Sequence, residues 1–149
     1  MKKKFLTTLL IIAAIFITTA FVWAVSPRKN LKPSEYGIGI TYEQAMKEKK
    51  PFIMMFYSDM CSSCIKFAGK YKLIEEIYKD KYNVVMLNVD DAKYNDVLND
   101  FWPAGIPNVF IVDPSIDNRI HINGAYYGDL RKLRVEFDRY LRIRAMIKL

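Results

Sequence analysis

The sequence predicts a mixed α/β domain in which a short β-sheet carries helices on both faces. Three observations support this prediction. The uninterrupted apolar run Phe52–Tyr57 has the length of a strand that is buried on both sides. From Cys61 onward, apolar side chains recur at the spacing of an amphipathic helix. Residues 84–123 then contain the pattern of one further strand followed by a two-stranded hairpin.

The first predicted helix lies directly before the apolar strand. Thr41 is a suitable N-cap, and Gln44 follows three residues later as its capping-box partner. The helix is expected to run through Lys49, because Pro51 cannot continue it and introduces the strand instead.

The second half of the domain follows the same alternation of strands and helices. Its last helix is expected to bury one apolar face against the sheet, formed by Leu130, Leu133, Phe137, Tyr140 and Leu141. The predicted elements are a second central strand at Val84–Val89, a short helix at Asp91–Phe101, hairpin strands at Asn108–Val112 and Arg119–Asn123 joined by Asp113–Asn118, and a terminal helix from Gly128.

The N-terminal segment predicts a membrane anchor. Three lysines precede an uncharged run from Phe5 to Val25, and about twenty apolar residues are enough to cross the hydrocarbon core of a bilayer. The apolar part of a cleaved signal peptide is usually shorter, which leaves cleavage and secretion as the alternative. We therefore expect a signal anchor or signal helix at residues 1–25, a Pro/Gly/Lys-rich linker at 26–40, and a domain at 41–149 that lies outside the cytoplasm.

The chain has only two cysteines, and they form the motif Cys61-Ser62-Ser63-Cys64. Half of a zinc site would need a second such pair or two histidines, and the sequence has neither. The pair could also be two buried and inert thiols. Thiol-disulfide exchange needs only these two residues, and Cys61 falls at a helix N-terminus, which stabilises an anion. We therefore assign Cys61 as the attacking thiol and Cys64 as the resolving thiol.

The motifs around this pair resemble those of the thioredoxin-like superfamily over about residues 40–142. They are F-Y-S-D-M-C-S-S-C, V-V-M-L-N-V-D-D, G-I-P-N-V-F-I-V-D and I-N-G-A-Y-Y-G. Residues 42–64 are also similar to the periplasmic thioredoxin-like domain of the transmembrane thiol-disulfide interchange protein, and to other membrane-anchored members. The resemblance implies a thioredoxin fold, a central mixed β-sheet flanked by helices, with thiol-disulfide oxidoreductase activity.

The resemblance also assigns substrate contacts. Pro107 matches the family's cis-proline, which faces the disulfide and exposes the Ile106 backbone for pairing with a substrate strand. Gly124 matches the glycine of the loop that completes the substrate groove. The predicted substrate-binding residues are Met60, Ser62, Ser63, Ile106, Pro107 and Gly124.

The chain departs from the family at three informative positions. Met60 replaces the tryptophan that usually precedes the first cysteine. Met55 stands where relatives have a buried acid, and Met86 stands where that acid has its lysine neighbour. Two apolar residues in place of an ion pair are physically consistent, and they leave no buried carboxylate to deprotonate Cys64. Asp59 is the nearest other carboxylate in the sequence. Its role is either that of a proton acceptor or that of a solvated loop residue.

The resemblance favours a disulfide reductase. The Ser62-Ser63 spacer lacks the histidine of the strongly oxidising relatives, and Ile106 before Pro107 is more typical of reductases. Such a protein would act on protein thiols and disulfides, receive electrons from a membrane-embedded donor, and need no cofactor or metal beyond its own Cys61–Cys64 disulfide.

Other functions remain open at this point. One alternative is a binding protein of the same fold, either a Cu(I) or Zn carrier that uses both thiolates or an assembly factor that holds substrates. A disulfide oxidase or isomerase is another. The formal net charge of +7 would suit a nucleic acid partner, but the sequence contains no nucleic-acid-binding motif, so no such partner is predicted.

Overall fold

The computed structural model describes residues 31–147, which form a four-stranded mixed sheet with helices on both faces. The predicted anchor at residues 1–25 lies outside the described residues. None of the helices between residues 31 and 147 is long and apolar enough to cross a membrane. The strands are β1 (Phe52–Tyr57), β2 (Asn83–Asn88), β3 (Asn108–Asp113) and β4 (Asn118–Ile122). The helices are α1 (Tyr42–Glu48), α2 (Ser62–Tyr78), α3 (Asn95–Phe101) and α4 (Leu130–Met146).

The sheet has the strand order β2-β1-β3-β4. Strand β1 runs parallel to β2 and antiparallel to β3, and β3 and β4 form the predicted antiparallel hairpin. The register places Met55 of β1 opposite Met86 of β2. The predicted mixed sheet is therefore confirmed, and so is the prediction that the two methionines are neighbours. Short 3₁₀ helices lie at Pro33–Tyr36, Ala92–Tyr94 and Gly124–Tyr126.

Strand β1 is the centre of the core. All six of its residues are buried, none more than 6% exposed. Their side chains alternate between the two faces of the sheet. Ile53, Met55 and Tyr57 pack with α2 and α4, while Phe52, Met54 and Phe56 pack with α1 and α3. The apolar run has no polar alternation because both of its faces are covered.

Residues 31–40, which the sequence analysis placed in a linker, contact the outer edge of β2. The Ile40 backbone N–H donates to the Val84 carbonyl at 2.9 Å, and Ile40 forms an isolated parallel bridge with Val85. Gly39 makes this approach possible. It has φ of 79°, and a Cβ at this position would lie 2.2 Å from the Val84 oxygen. A composition typical of linkers does not reveal such a contact, because the partner strand is more than forty residues away.

The same segment engages Asp59, the carboxylate nearest the cysteines in sequence. Its two carboxylate oxygens accept hydrogen bonds from the Ser34 backbone N–H at 3.1 Å and from the Ser34 hydroxyl at 2.6 Å. Asp59 therefore holds the start of the 3₁₀ helix Pro33–Tyr36 against the loop after β1.

A buried carboxylate fixes α4 to the end of β3. Asp113 is fully buried and accepts hydrogen bonds from the Tyr140 hydroxyl at 2.8 Å, the Ser115 backbone N–H at 3.1 Å and the Arg144 guanidinium. Burial by itself raises the pKa of Asp113, but the hydrogen bonds from Arg144, Ser115 and Tyr140 outweigh it and lower the pKa of this carboxyl below its ordinary value.

We expect Arg144→Met to lower the free energy of unfolding by about 3 kcal/mol, because it leaves a buried charge without its partner. The exposed Arg142, two residues earlier on α4, gives the matched control, and Arg142→Met should change the stability by less than about 0.5 kcal/mol. Urea denaturation followed by circular dichroism at pH 7 measures both variants.

The difference between the wild type and Arg144→Met should depend on pH. A carboxyl whose pKa is lowered in the folded state stabilises the protein above its unfolded pKa, and this contribution is lost as the pH falls through the folded pKa. The two stabilities should therefore converge in acid. An equal loss of stability in the Arg142 and Arg144 variants would contradict this role of the buried pair.

Candidate active site

The cysteine motif lies where β1 gives way to α2. Ser58, at the end of the strand, is buried and organises the turn. Its carbonyl accepts from the Cys61 backbone N–H at 3.2 Å, and its hydroxyl accepts from the Met60 N–H at 3.1 Å. The same hydroxyl donates to the Asp90 carboxylate at 2.6 Å, at the end of the neighbouring strand β2. These three hydrogen bonds of Ser58 thus fix the position of Cys61 at the start of the helix.

Cys61 is the N-cap residue of α2, as the sequence predicted. Its backbone is extended, and its Sγ accepts a hydrogen bond from the Cys64 backbone N–H at 3.2 Å. The Cys61 thiol also lies 3.7 Å from the Ile106 carbonyl, to which it donates. A sulfur in this position receives a backbone N–H group of the first helical turn and faces the positive end of the helix dipole.

The two thiols have different surroundings. Cys61 is partly exposed, whereas Cys64 is fully buried in the apolar core between α2 and the sheet. Burial, followed by the hydrogen bond with Cys61, raises the pKa of the Cys64 thiol to about 12. Met55 is fully buried in the same core cluster, and Met86 packs against it. Between residues 31 and 147, no group of three or more His, Cys, Asp or Glu side chains is placed to hold a metal ion.

The predicted substrate residues take different positions around the thiols. The Ile106–Pro107 peptide bond is cis, and its carbonyl on the Ile106 side faces Cys61. Pro107, Gly124 and Ser63 line one cleft with a volume of about 350 Å³. Met60 is 86% exposed and Ser62 is exposed, and neither lines this cleft.

Ile106 itself borders a second, more apolar groove. It is lined by Trp102 and Pro103 together with Val89 and Leu98. Trp102 ends α3 in the left-handed region, with φ of 45°, and its side chain is 81% exposed. A bulky residue rarely adopts this backbone conformation, so the turn that leads to Ile106 holds a strained residue at its start.

Several residues that shape the site were not identified from the sequence. The Tyr127 hydroxyl accepts from the Val109 N–H at 2.8 Å and donates to the Ile122 carbonyl at 3.0 Å. Its ring stacks on Phe67 of α2 with the centroids 5.1 Å apart. Tyr127 therefore ties the loop after β4 to the active-site helix. In the sequence, only its proximity to Gly124 could have indicated this role of Tyr127.

The contact between Ser58 and Asp90 was also not predicted, although the order of the strands in the sequence could have indicated it. Ser58 follows β1 and Asp90 lies two residues beyond β2. Because β1 and β2 are parallel neighbours, the residues that follow them meet at the same edge of the sheet.

A protein-family model described as Thioredoxin matches residues 39–133. The chloroplastic thioredoxin-like protein HCF164 of Arabidopsis thaliana is 36% identical over 106 residues, which cover 71% of this chain and 39% of that protein. The thiol:disulfide interchange protein TxlA of Synechococcus elongatus is 31% identical over 105 residues, which cover 68% of this chain and 55% of that protein. This chain therefore matches less than two thirds of the length of either relative.

Solved structures share the architecture. Thioredoxin from Trypanosoma brucei brucei superposes with a TM-score of 0.54 at 15% identity, over 76% of this chain and 99% of that protein. At this identity the likeness concerns the fold alone, and it confirms the predicted thioredoxin fold for the described residues. The family match spans both cysteines, Pro107 and Gly124, and on that basis the chain belongs to the thioredoxin family.

Proposed function

We propose that the protein is a thiol-disulfide oxidoreductase that reduces disulfides in other proteins. The observation that carries this proposal is the asymmetry of the two thiols. Cys61 is accessible and its sulfur accepts an N–H group at the helix start, while Cys64 is fully buried directly behind it. An exposed nucleophile backed by a protected second thiol is the arrangement that a two-step exchange requires.

The first step forms a mixed disulfide. The Cys61 thiolate attacks one sulfur of the substrate disulfide, a bond forms between that sulfur and Cys61 Sγ, and the substrate S–S bond breaks. The other substrate sulfur leaves as a thiolate and takes up a proton.

The second step releases the substrate. Cys64 loses its proton, and the resulting thiolate attacks Cys61 Sγ. The Cys61–Cys64 disulfide forms as the mixed disulfide breaks, and the second substrate sulfur leaves as a thiolate. Two electrons pass from the Cys61–Cys64 dithiol to the substrate, and a reductant must restore the dithiol.

The proton of Cys64 limits the second step. The high pKa of this thiol follows from its burial, and the neighbouring Met55 and Met86 offer no group that accepts a proton. The substrate thiolate released in the first step is a base that is present before Cys64 attacks. We infer that it, or solvent admitted with it, takes this proton.

Substrate binding is assigned to the surface around Cys61. The Ile106 backbone would pair with an extended substrate segment, and the 3.7 Å distance from its carbonyl to the Cys61 sulfur supports this role. Pro107, Gly124 and Ser63 line the cleft along which that segment would continue. The exposed Met60 side chain would contact the substrate above the thiols, and Ser62 would do so beside them.

The setting that we propose is extracytoplasmic and membrane-anchored. The apolar run Phe5–Val25, preceded by three lysines, supports an anchor with the domain on the far side of the bilayer. An exported reductase needs electrons from the cytoplasmic side, so we infer a membrane-embedded donor that passes them to Cys61 and Cys64. The matching relative TxlA is itself described as a thiol:disulfide interchange protein.

The reduction potential of the Cys61–Cys64 pair tests the direction of electron flow. We expect a value near the thioredoxin end of the scale, roughly −270 mV, whereas an oxidant or isomerase would lie at roughly −120 to −180 mV. Equilibration of the protein in glutathione or dithiothreitol buffers, with thiols counted by mass after alkylation, gives this value. Absence of a reversible disulfide would overturn the enzymatic function altogether and favour a binding protein.

Single cysteine variants test the division of roles. Cys64→Ser should accumulate a stable mixed disulfide with a peptide disulfide, because the attacking thiol remains and the resolving thiol is missing. Cys61→Ser should form none, because the remaining thiol is buried. Non-reducing electrophoresis and mass spectrometry detect the adduct. An adduct of similar yield on Cys64 in the Cys61→Ser variant would reverse the assignment.

The pH dependence of alkylation tests the protected state of Cys64. With its pKa at about 12, this thiol stays protonated across neutral pH, so its alkylation rate should rise about tenfold per pH unit between pH 7 and 10 without a plateau. Iodoacetamide labelling of the reduced protein followed by peptide mapping measures each cysteine separately. A plateau below pH 9 for Cys64 would show that the thiolate is stabilised despite its burial.

A further inference from the structure

One wall of the cleft beside the thiols carries two lysines. Ser63, Lys66, Phe67 and Lys70 occupy positions i, i+3, i+4 and i+7 along α2 and therefore share one face of the helix. All four line the cleft opposite Pro107, Gly124, Tyr127 and Gly128. We call this face of α2 the lysine wall.

Lys70 is fixed in place at the cleft. Its ammonium group donates to the Gly128 carbonyl at 2.8 Å and lies 3.4 Å from the Tyr127 carbonyl. Carbonyl oxygens orient the ammonium group but leave its net charge intact, and one of its three N–H donors remains available. Lys66 is exposed and forms no ion pair with any residue in the range 31–147.

No carboxylate among the cleft-lining residues neutralises these charges. The acidic residue next in sequence to the lining, Asp129, is engaged elsewhere. Its carboxylate accepts from the Arg131 backbone N–H at 2.9 Å and lies 3.6 Å from the Arg131 guanidinium. The cleft, which Ser63 of the cysteine motif and Pro107 both line, therefore presents two positive charges to whatever enters it.

We propose that the lysine wall selects substrates with acidic residues next to the cysteine that is attacked. This inference rests on the proposed reductase function. Lys66 and Lys70 lie five and nine residues after Cys61, about 8 and 13 Å along the helix axis. An extended substrate advances about 3.3 Å per residue, so the acidic side chains would lie about two to four residues from its reacting cysteine.

The test uses the full chain in an uncharged detergent and three peptide disulfides that differ only at positions two to four from the cysteine. Each peptide carries Glu, Gln or Lys at these positions, both before and after the cysteine. We expect kcat/KM to be highest for Glu and lowest for Lys. Each pair of a peptide charge and a lysine charge should change kcat/KM by about threefold at a separation near 6 Å in water. The effect should reside mainly in KM and should weaken at 0.5 M NaCl, where the screening length is only a few Å.

Variants of single lysines test whether the lysine wall causes this preference for acidic peptides. Lys66→Gln should reduce the ratio of kcat/KM between the Glu and Lys peptides by about threefold to tenfold. Lys66→Arg should restore the wild-type ratio, because it retains the charge. Lys79→Gln is the matched control, since it removes the same charge from the other end of α2, about 20 Å from Lys66. This control should leave the ratio unchanged.

The outcomes separate this inference from the function on which it rests. Equal kcat/KM for all three peptides, with the uncharged Gln peptide reduced normally, would overturn the acidic preference and leave the reductase intact. Failure to reduce even the Gln peptide and hydroxyethyl disulfide would overturn the reductase itself. A loss of the preference in Lys79→Gln as large as in Lys66→Gln would assign the effect to net charge and overturn the role of the wall.

Discussion

The complete burial of β1 is the constraint on which the rest of the structure depends. Its side chains fill the cores on both faces of the sheet, so the strand cannot shift without emptying both. This fixes Ser58, which ends the strand, and through Ser58 it fixes the turn to Cys61. The position of Cys61 thus depends on a turn of three residues, Ser58 to Met60, that apolar packing of the strand holds in place. Asp90, two residues beyond the adjacent parallel strand, also fixes this turn by accepting a hydrogen bond from the Ser58 hydroxyl.

The reactivity of the two thiols follows from a difference of one helical turn. Cys61 precedes the first turn of α2 and faces solvent and unpaired N–H groups, whereas Cys64 lies within that turn and faces the core. Met55 and Met86 contribute apolar side chains to the core cluster that contains Cys64. The methionines avoid the energetic cost of a buried ion pair, and in the mechanism that we propose they leave proton release to the arriving substrate.

Local patterns were sufficient to predict the sheet, the helices and the position of the cysteine pair at the start of α2, because the apolar run of β1 and the cysteine spacing are encoded within a few residues. Predictions failed or were missing where the partner is distant in sequence. The contact of Ile40 with β2 and the bond from Lys70 to Gly128 each join segments more than forty residues apart. The replacement of a charged residue by Met55 could be recognised only by comparison with the family pattern. Only the register of the sheet shows that Met55 lies opposite Met86.

The two outer strands of the sheet differ in how their free hydrogen-bonding groups are protected against pairing with another chain. Strand β2 is capped by the backbone at Gly39 and Ile40, which occupies part of its outer side. Strand β4 has no such cover among the described residues, but it is only five residues long and exposes Arg119 and His121. Short, charged edges resist aggregation. The outer strands of the described sheet are thus poor sites for strand addition, and the substrate pairing that we propose uses the backbone beside Ile106 instead.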